Sequence, residues 1–425
     1  MPPQRGMNSI PTKPRLRRVQ ITPFSHEGDD FYLFHDPKSI APDAQLPRAW
    51  GPLLALFDGT NDIDSILEQI EGGDDERLRP MIEKLVADLD EMFYLDSPTF
   101  RAREAEIEGE FLNSPTRPAA FAGQSYPGNP AQLRAFLTQK LLEGETRLPP
   151  RAYDPQTVRG IVTPHIDFGR GGHTEAASYA PLRENVTQTG RPFDTLVVFG
   201  IAHQGVEYPF CATAKGFETP FGTMNCDLEF LRDLEQIIGP RLTDEQLSHK
   251  NEHSIEFAAV FSQMFDELKP SKIVPILCGG FWEALRTKKS PEEAEPEVRD
   301  FIAALRQVTQ KHESQGKKIG FIASVDGAHV GTQFGDQKPI TPQRLKQIES
   351  EDRVWCQAIE AGDRAALHVH FAKNGNANNV DAHPALYTLM AAFPELKGQL
   401  LDLDQAYNAS ANIVVSFASL ALFGH

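Results

Sequence analysis

Five stretches of this chain put histidines and carboxylates at the ends of apolar runs. The first is Val162-Thr-Pro-His165-Ile-Asp167-Phe-Gly-Arg-Gly-Gly172, which follows Val158 and Ile161 and leads into a glycine-rich turn. The second, Leu196-Val-Val-Phe-Gly-Ile-Ala-His203, ends another apolar run in another histidine. Neutral imidazole is the commonest protein ligand for mid-row metals, so two histidines in matching contexts are a natural start for a metal site. The bland alternative is that each only hydrogen-bonds within its turn. The third stretch, Asn251-Glu252-His253-Ser254-Ile-Glu256, opens a helix, with Ser254 as the expected N-cap. Glu252 and His253 would then stand just before the helix, where its dipole favours an anion, as site residues or as a plain cap. The fourth, Ser324-Val-Asp326-Gly-Ala-His329, sets an acid and a histidine three apart across small residues and suits an oriented acid/base pair. The fifth, Asn378-Asn-Val-Asp381-Ala-His383-Pro384, enters a helix whose first turn suits Pro384.

The elements that must position these residues are those of an α/β domain with a central, mostly parallel sheet flanked by helices. Strands are expected at 158–164, 195–200, 272–277, 318–323 and 413–422. Helices are expected at 174–185, 228–238, 254–268, 296–310, 345–361, 364–373 and 384–393. In such folds ligands bind outside the carboxyl ends of the strands, where the first, second and fourth stretches fall. That domain takes residues 151–425. Ahead of it, residues 1–18 read as a disordered Pro- and Arg-rich tail. Residues 19–100 read as a small α+β domain with helical spacing at Ile63, Ile66, Leu67 and Ile70, a stop at Gly72-Gly73, and a short strand at Phe93-Tyr-Leu95. Residues 101–150 read as a connector, because 113–130 are rich in Pro, Gly and Ser.

Composition excludes several classes. A net charge of −17 disfavours nucleic acid and anionic membrane surfaces, which want a basic face. The four cysteines form no CxxC, so zinc-ribbon and thioredoxin readings fail. The basic N-terminus has no apolar core of a signal peptide, and no apolar run approaches the ~20 residues of a membrane helix. A reducing cytoplasm is the expected location.

The motifs PHIDFGRGG, FGIAH, EHSIEFAAVF, IVPILCGG, ASVDGAHVG, DAHPALYTLM and the tail ANIVVSFASLALFGH resemble, in order and spacing, those of the Memo family. In bacteria this family is protein B of the AmmeMemoRadiSam system. The resemblance covers residues 156 to 425. It implies a fold like that of the class III extradiol dioxygenases, which hold iron(II) with two histidines and a carboxylate. It places His165 and His203 on the metal-ligating histidines and His329 on the acid/base histidine, with Asp326 tuning it. Glu252 and His253 fall on the family's EHSIE motif and join the catalytic set. The family's usual cysteine ligand is here Val380, so the third ligand is Asp381, its rival Asp167, or none. The implied cofactor is a divalent metal, iron(II) foremost, with zinc, copper or no metal as alternatives. Three functions stay open: an iron-dependent, dioxygenase-like redox enzyme, a zinc-type hydrolase, and a non-catalytic adaptor. The adaptor's partners would be AMMECR1-like and radical SAM proteins or a peptide, with a small molecule as the other possible ligand. The N-terminal phrase LFDGTNDIDSILEQI is similar to the PqqD-type winged-helix domains, which bind peptides.

Overall fold

The computed structural model describes residues 10–26, 28–36, 40–70, 77–336 and 338–424. The chain divides into two compact units, with the boundary between Asn113 and Ser114.

The larger unit is built on one eight-stranded sheet. Its strands are β1 (Val158–Thr163), β2 (Thr195–Ile201), β3 (Phe210–Ala212), β4 (Lys272–Cys278), β5 (Ile319–Ser324), β6 (His329–Gly331), β7 (Lys397–Asn408) and β8 (Ile413–Phe423). They lie in the order β6-β8-β1-β5-β2-β4-β3, with β7 paired to β8. The four central strands, β1, β5, β2 and β4, are parallel, and the flanking pairings are antiparallel. Runs such as Thr195-Leu-Val-Val-Phe-Gly-Ile201 are apolar on both faces because both faces are covered. Val197, Phe199, Val274 and Phe321 enter one buried cluster, while Leu196, Val198, Ile273 and Ile322 enter the other. This two-residue alternation fixes the register, since a one-residue slip would exchange the two cores. Among the described residues no helix is long and apolar enough to cross a membrane.

The register explains why distant polar residues meet. Ser324 pairs with Thr163, and Ala323 with Phe199. Two residues beyond the first pair, Asp326 and His165 leave the sheet side by side, and His203 leaves at the same end.

Several expectations are corrected. The helix expected at 174–185 is two, Gly172–Ser178 and Ala180–Thr189, because Pro181 sits in the first turn of the second. The long β7 was not foreseen, since Lys397-Gly-Gln-Leu-Leu-Asp-Leu-Asp has no sustained apolar run. Residues 114–150 are part of the larger unit rather than a connector. Thr116–Arg117 pairs with Gly216–Thr219, and the helix Pro130–Glu145 packs against Gly172–Ser178 so closely that a Cβ on Gly144 would lie 2.0 Å from the His173 carbonyl.

The smaller unit has a three-stranded antiparallel sheet, Gln20–His26, Asp29–His35 and Ala44–Pro47, followed by helices including Ile63–Gln69, Leu78–Glu91 and Pro98–Asn113. Phe34, Phe57, Ile66, Ile82, Val86, Leu89 and Tyr94 form its core. Phe93-Tyr-Leu95 is no extended strand: Leu95 makes an isolated bridge to Leu16. Residues 10–18 of the expected tail belong to the smaller unit, where Arg17 forms a buried ion pair with Asp36 at 3.0 Å. Residues 1–9 and the Gly72-Gly73 stop lie outside the described residues.

Candidate metal centre

The site begins with the start of the helix His253–Met264. Ser254 is not its N-cap. The Glu252 side chain is, accepting from Ser254 N at 3.0 Å. The Ser254 hydroxyl is used elsewhere, accepting from Ile201 N at 3.0 Å, and Ser324 Oγ donates to the Ser254 carbonyl at 2.6 Å. These bonds pin the helix start to the ends of β2 and β5. Gly200 permits the approach, since a Cβ there would lie 2.4 Å from Ser254 Oγ.

Three imidazoles meet there. The His165 ring centroid is 5.2 Å from that of His203 and 5.1 Å from that of His253, and the His203 and His253 rings stack at 4.8 Å. One nitrogen of each lies within 4.8 Å of the others. Each ring is held through Nδ1 by an oxygen acceptor. His165 Nδ1 donates to the Ser324 carbonyl at 2.9 Å. His203 Nδ1 donates to Glu252 at 3.0 Å, and His253 Nδ1 stands 3.3 Å from the same carboxylate. This orients each ring with Nε2 toward the common centre, where it can give a lone pair to a metal once its proton is displaced, the usual support for a metal-ligating histidine.

A carboxylate joins them. Asp381 Oδ2 lies 3.2 Å from His165 Nε2 and 3.9 Å from His203 Nε2, while its Oδ1 accepts from Asp326 N at 2.7 Å. Asp326 Oδ1 in turn accepts from His165 N at 2.9 Å. His165 Nε2 and Asp381 Oδ2 are both buried, and neither makes an aligned hydrogen bond. At 3.2 Å they face each other as an ion pair, an arrangement that a shared cation would take over by displacing the His165 proton. Burial alone would suppress protonation of His165, but Asp326 and Asp381 outweigh it and push its pKa up to about 10. Burial would raise Glu252, but His203 and His253 hold it well below the usual carboxylate range. Asp381 is likewise lowered, with burial opposing and His165 winning.

The cluster opens into a cavity of about 1250 Å³ lined by Phe121, Phe257, Gln333, Phe334, Gln405 and Tyr407. His329 stands on the same wall. Its Nδ1 donates to the carbonyls of Gly327 and Asn379 at 3.1 and 3.2 Å, so its Nε2 is the working nitrogen. The structure thus gathers His165, His203, His253, Glu252, Asp326, Asp381 and His329 at one end of the sheet. Asp167 lines the cavity but is committed to its own turn, accepting from Gly169 N and Arg170 N and pairing with Arg170. Val380 is buried in the apolar core, and His383 Nε2 faces His368 Nδ1 at 3.1 Å.

Sequence reasoning put His253 in the catalytic set but did not bring its ring together with those of His165 and His203, as the structure does. The signal was Glu252: one carboxylate beside a histidine, at a helix start, can serve two rings at once. Gly327 is a further dependence. A Cβ there would lie 2.5 Å from Ser416 Oγ and 2.9 Å from its carbonyl. Gly327→Ala is expected to cost about 1–3 kcal/mol in urea unfolding and to shift the His329 imidazole signals.

The family model described as Memo-like protein matches residues 117–421. A MEMO1 family protein of Aquifex aeolicus is 26% identical over 418 residues, covering 97% of this chain and 100% of the relative, so that likeness includes the smaller unit. MEMO1 family proteins of Thermus thermophilus and Methanosarcina mazei are 24% and 32% identical, over 75% and 55% of this chain and 86% and 72% of their own. The matched region starts at Arg117, well before the 156 expected from motifs. With 117–421 matched and the site built on its strand ends, the chain belongs to the Memo-like family.

Proposed function

We propose that His165, His203, His253 and Asp381 hold a divalent metal, and that the cavity beside them is the substrate site of a metal-dependent enzyme. The observation that carries this reading is the convergence of three imidazoles, one nitrogen of each within 4.8 Å of the others, with Asp381 Oδ2 3.2 Å from His165 Nε2. The donors fit the group: neutral imidazoles and a carboxylate suit iron(II) or zinc. When bound, iron(II) supplies redox chemistry at open coordination positions, and any divalent ion supplies a Lewis acid.

The chain's own residues would do the rest. Glu252 orients His203 and His253 through Nδ1, and Asp326 ties the His165 backbone to Asp381. His329 Nε2 takes or returns a proton on the cavity wall, its ring fixed by two carbonyls. Phe121, Phe257 and Phe334 exclude water from one side of the substrate, and Gln333 and Gln405 offer neutral hydrogen bonds to orient it. The two charged side chains Asp167 and Arg170 on this wall neutralise each other.

His165, His203 and Asp381 as the ligand set favour iron(II) and a redox reaction. The third imidazole favours a second reading, zinc and hydrolysis, because three histidines with an open fourth position are a catalytic zinc set. Metal analysis of protein purified without oxygen separates them. Near-stoichiometric iron, lost in His203→Ala and in Asp381→Ala, is the expected result. Zinc in its place moves the assignment to hydrolysis. No metal in wild type, even after incubation with iron(II) or zinc, overturns the proposal and leaves a binding protein.

A further inference from the structure

The helix that carries His253 is held by a second polar cluster, one turn further along. Arg117 and Glu256 are fully buried, and Tyr126 is 3% exposed. The Arg117 guanidinium donates to the carbonyls of His249 at 2.8 Å, Glu252 at 2.7 Å and Pro118 at 2.9 Å, and pairs with Glu256. Glu256 also accepts from Ala120 N and Phe121 N, both at 3.0 Å, and from the Tyr126 hydroxyl. The guanidinium therefore grips the backbone on which Glu252 and His253 stand, and the carboxylate grips the segment that carries Phe121. The Phe121 ring meets the His253 ring edge-on at 5.7 Å.

Stability alone does not account for this knot. Desolvating a buried ion pair costs about as much as the pairing returns, and apolar residues of similar volume would serve as well. What a rigid five-donor fork adds is placement.

We propose that Arg117 and Glu256 are positioning residues for the imidazole cluster: Arg117 fixes the Glu252–His253 step, and Glu256 fixes Phe121 against His253. The proposal rests on the metal centre for its effect on affinity, but its geometry can be read without metal.

The test uses the full chain with Arg117→Lys, Tyr126→Phe and the double variant Arg117→Met with Glu256→Gln. The double variant removes both charges together, so no buried ion is stranded. Two readouts are taken: cobalt(II) affinity with its visible absorption bands, and histidine imidazole nitrogen signals of the metal-free protein. The expected result is a ~10–100-fold loss of cobalt(II) affinity in the double variant, the range for changes to groups that orient metal ligands. Its band shape should alter and the His253 signal should move. Arg117→Lys keeps the charge without the fork, so it should recover thermal stability but not affinity. Tyr126→Phe, which leaves Arg117 in place, should keep affinity close to wild type. Unchanged affinity together with an unmoved His253 signal in the double variant, or full recovery of affinity by lysine, overturns the proposal. If wild type binds no cobalt(II), the metal reading falls. The His253 signal then decides alone: movement supports the positioning role, and no movement overturns it.

Discussion

Glu175→Met is expected to make the larger unit more stable, and the gain is expected to grow with pH. Glu175 lies in the helix Gly172–Ser178, is fully buried, and neither of its carboxyl oxygens has a hydrogen-bond partner. Burial drives its pKa well above the usual carboxylate value, with Asp326 adding to the rise and His165 opposing it. The sign follows from proton counting. In the unfolded chain this side chain ionises near 4.5, and in the folded chain only well above that. The folded state then binds more protons, so stability falls as pH rises, by ~1.4 kcal/mol per unit for as long as the folded group stays protonated. Two unsatisfied buried atoms add a pH-independent penalty of about 1–3 kcal/mol. Methionine has similar length and neither polar atom. Urea unfolding at pH 5 and pH 8 checks both parts. The variant should exceed wild type by about 2 kcal/mol at the lower pH, and the difference should widen at the higher one. A difference that stays flat with pH would falsify the protonated state. A stability cost beside His165 and Asp326 is what a functional site tolerates, where a methionine would remove a proton held near the cluster.

How much of this was legible in the sequence differs by element. The central strands were, because Thr195–Ile201 and Ile319–Ser324 are short apolar runs and each ends in polar chemistry. The meeting of His165, His203 and Asp326 was legible as a consequence, since parallel strands in a common register end together. Asp381 was placed beside the histidines only as one of two rivals. Choosing against Asp167 needed the turn: a carboxylate two residues before a glycine-rich reversal is used by the reversal itself. That the His253 ring joins the other two was not legible, because a residue at a helix start has no orientation in a sequence until Ser254 is known to be tied to β2. The 117–130 segment was misread for the opposite reason. Its Pro, Gly and Ser content is that of a linker, and only the environment of Arg117, with acceptors from 132 to 139 residues away, shows that it is core. Long-range side-chain bonds leave no periodic trace.

The ligand set itself predicts an ordered ladder of metal affinities. Structural four-ligand zinc sites gain roughly 10–16 kcal/mol on binding, so removing one donor of four removes about 3 kcal/mol, or a ~100-fold loss. Asp381→Ala, His203→Ala and His253→Ala should each fall by that order when titrated with zinc or cobalt(II). His165→Ala should fall furthest, because its Nε2 is the most buried donor and stands closest to the Asp381 oxygen. Glu252→Gln should sit between these and wild type, with a ~10–100-fold loss, because it orients two rings without donating to the metal. Asp167→Asn should lie near wild type, since its carboxylate is spent on Gly169, Arg170 and the turn. The order matters more than any single value. If His253→Ala binds as wild type while Asp381→Ala does not, the set contracts to two histidines and a carboxylate, and iron(II) chemistry is favoured. If Asp381→Ala is the silent one, the set is three imidazoles, and the balance shifts to zinc.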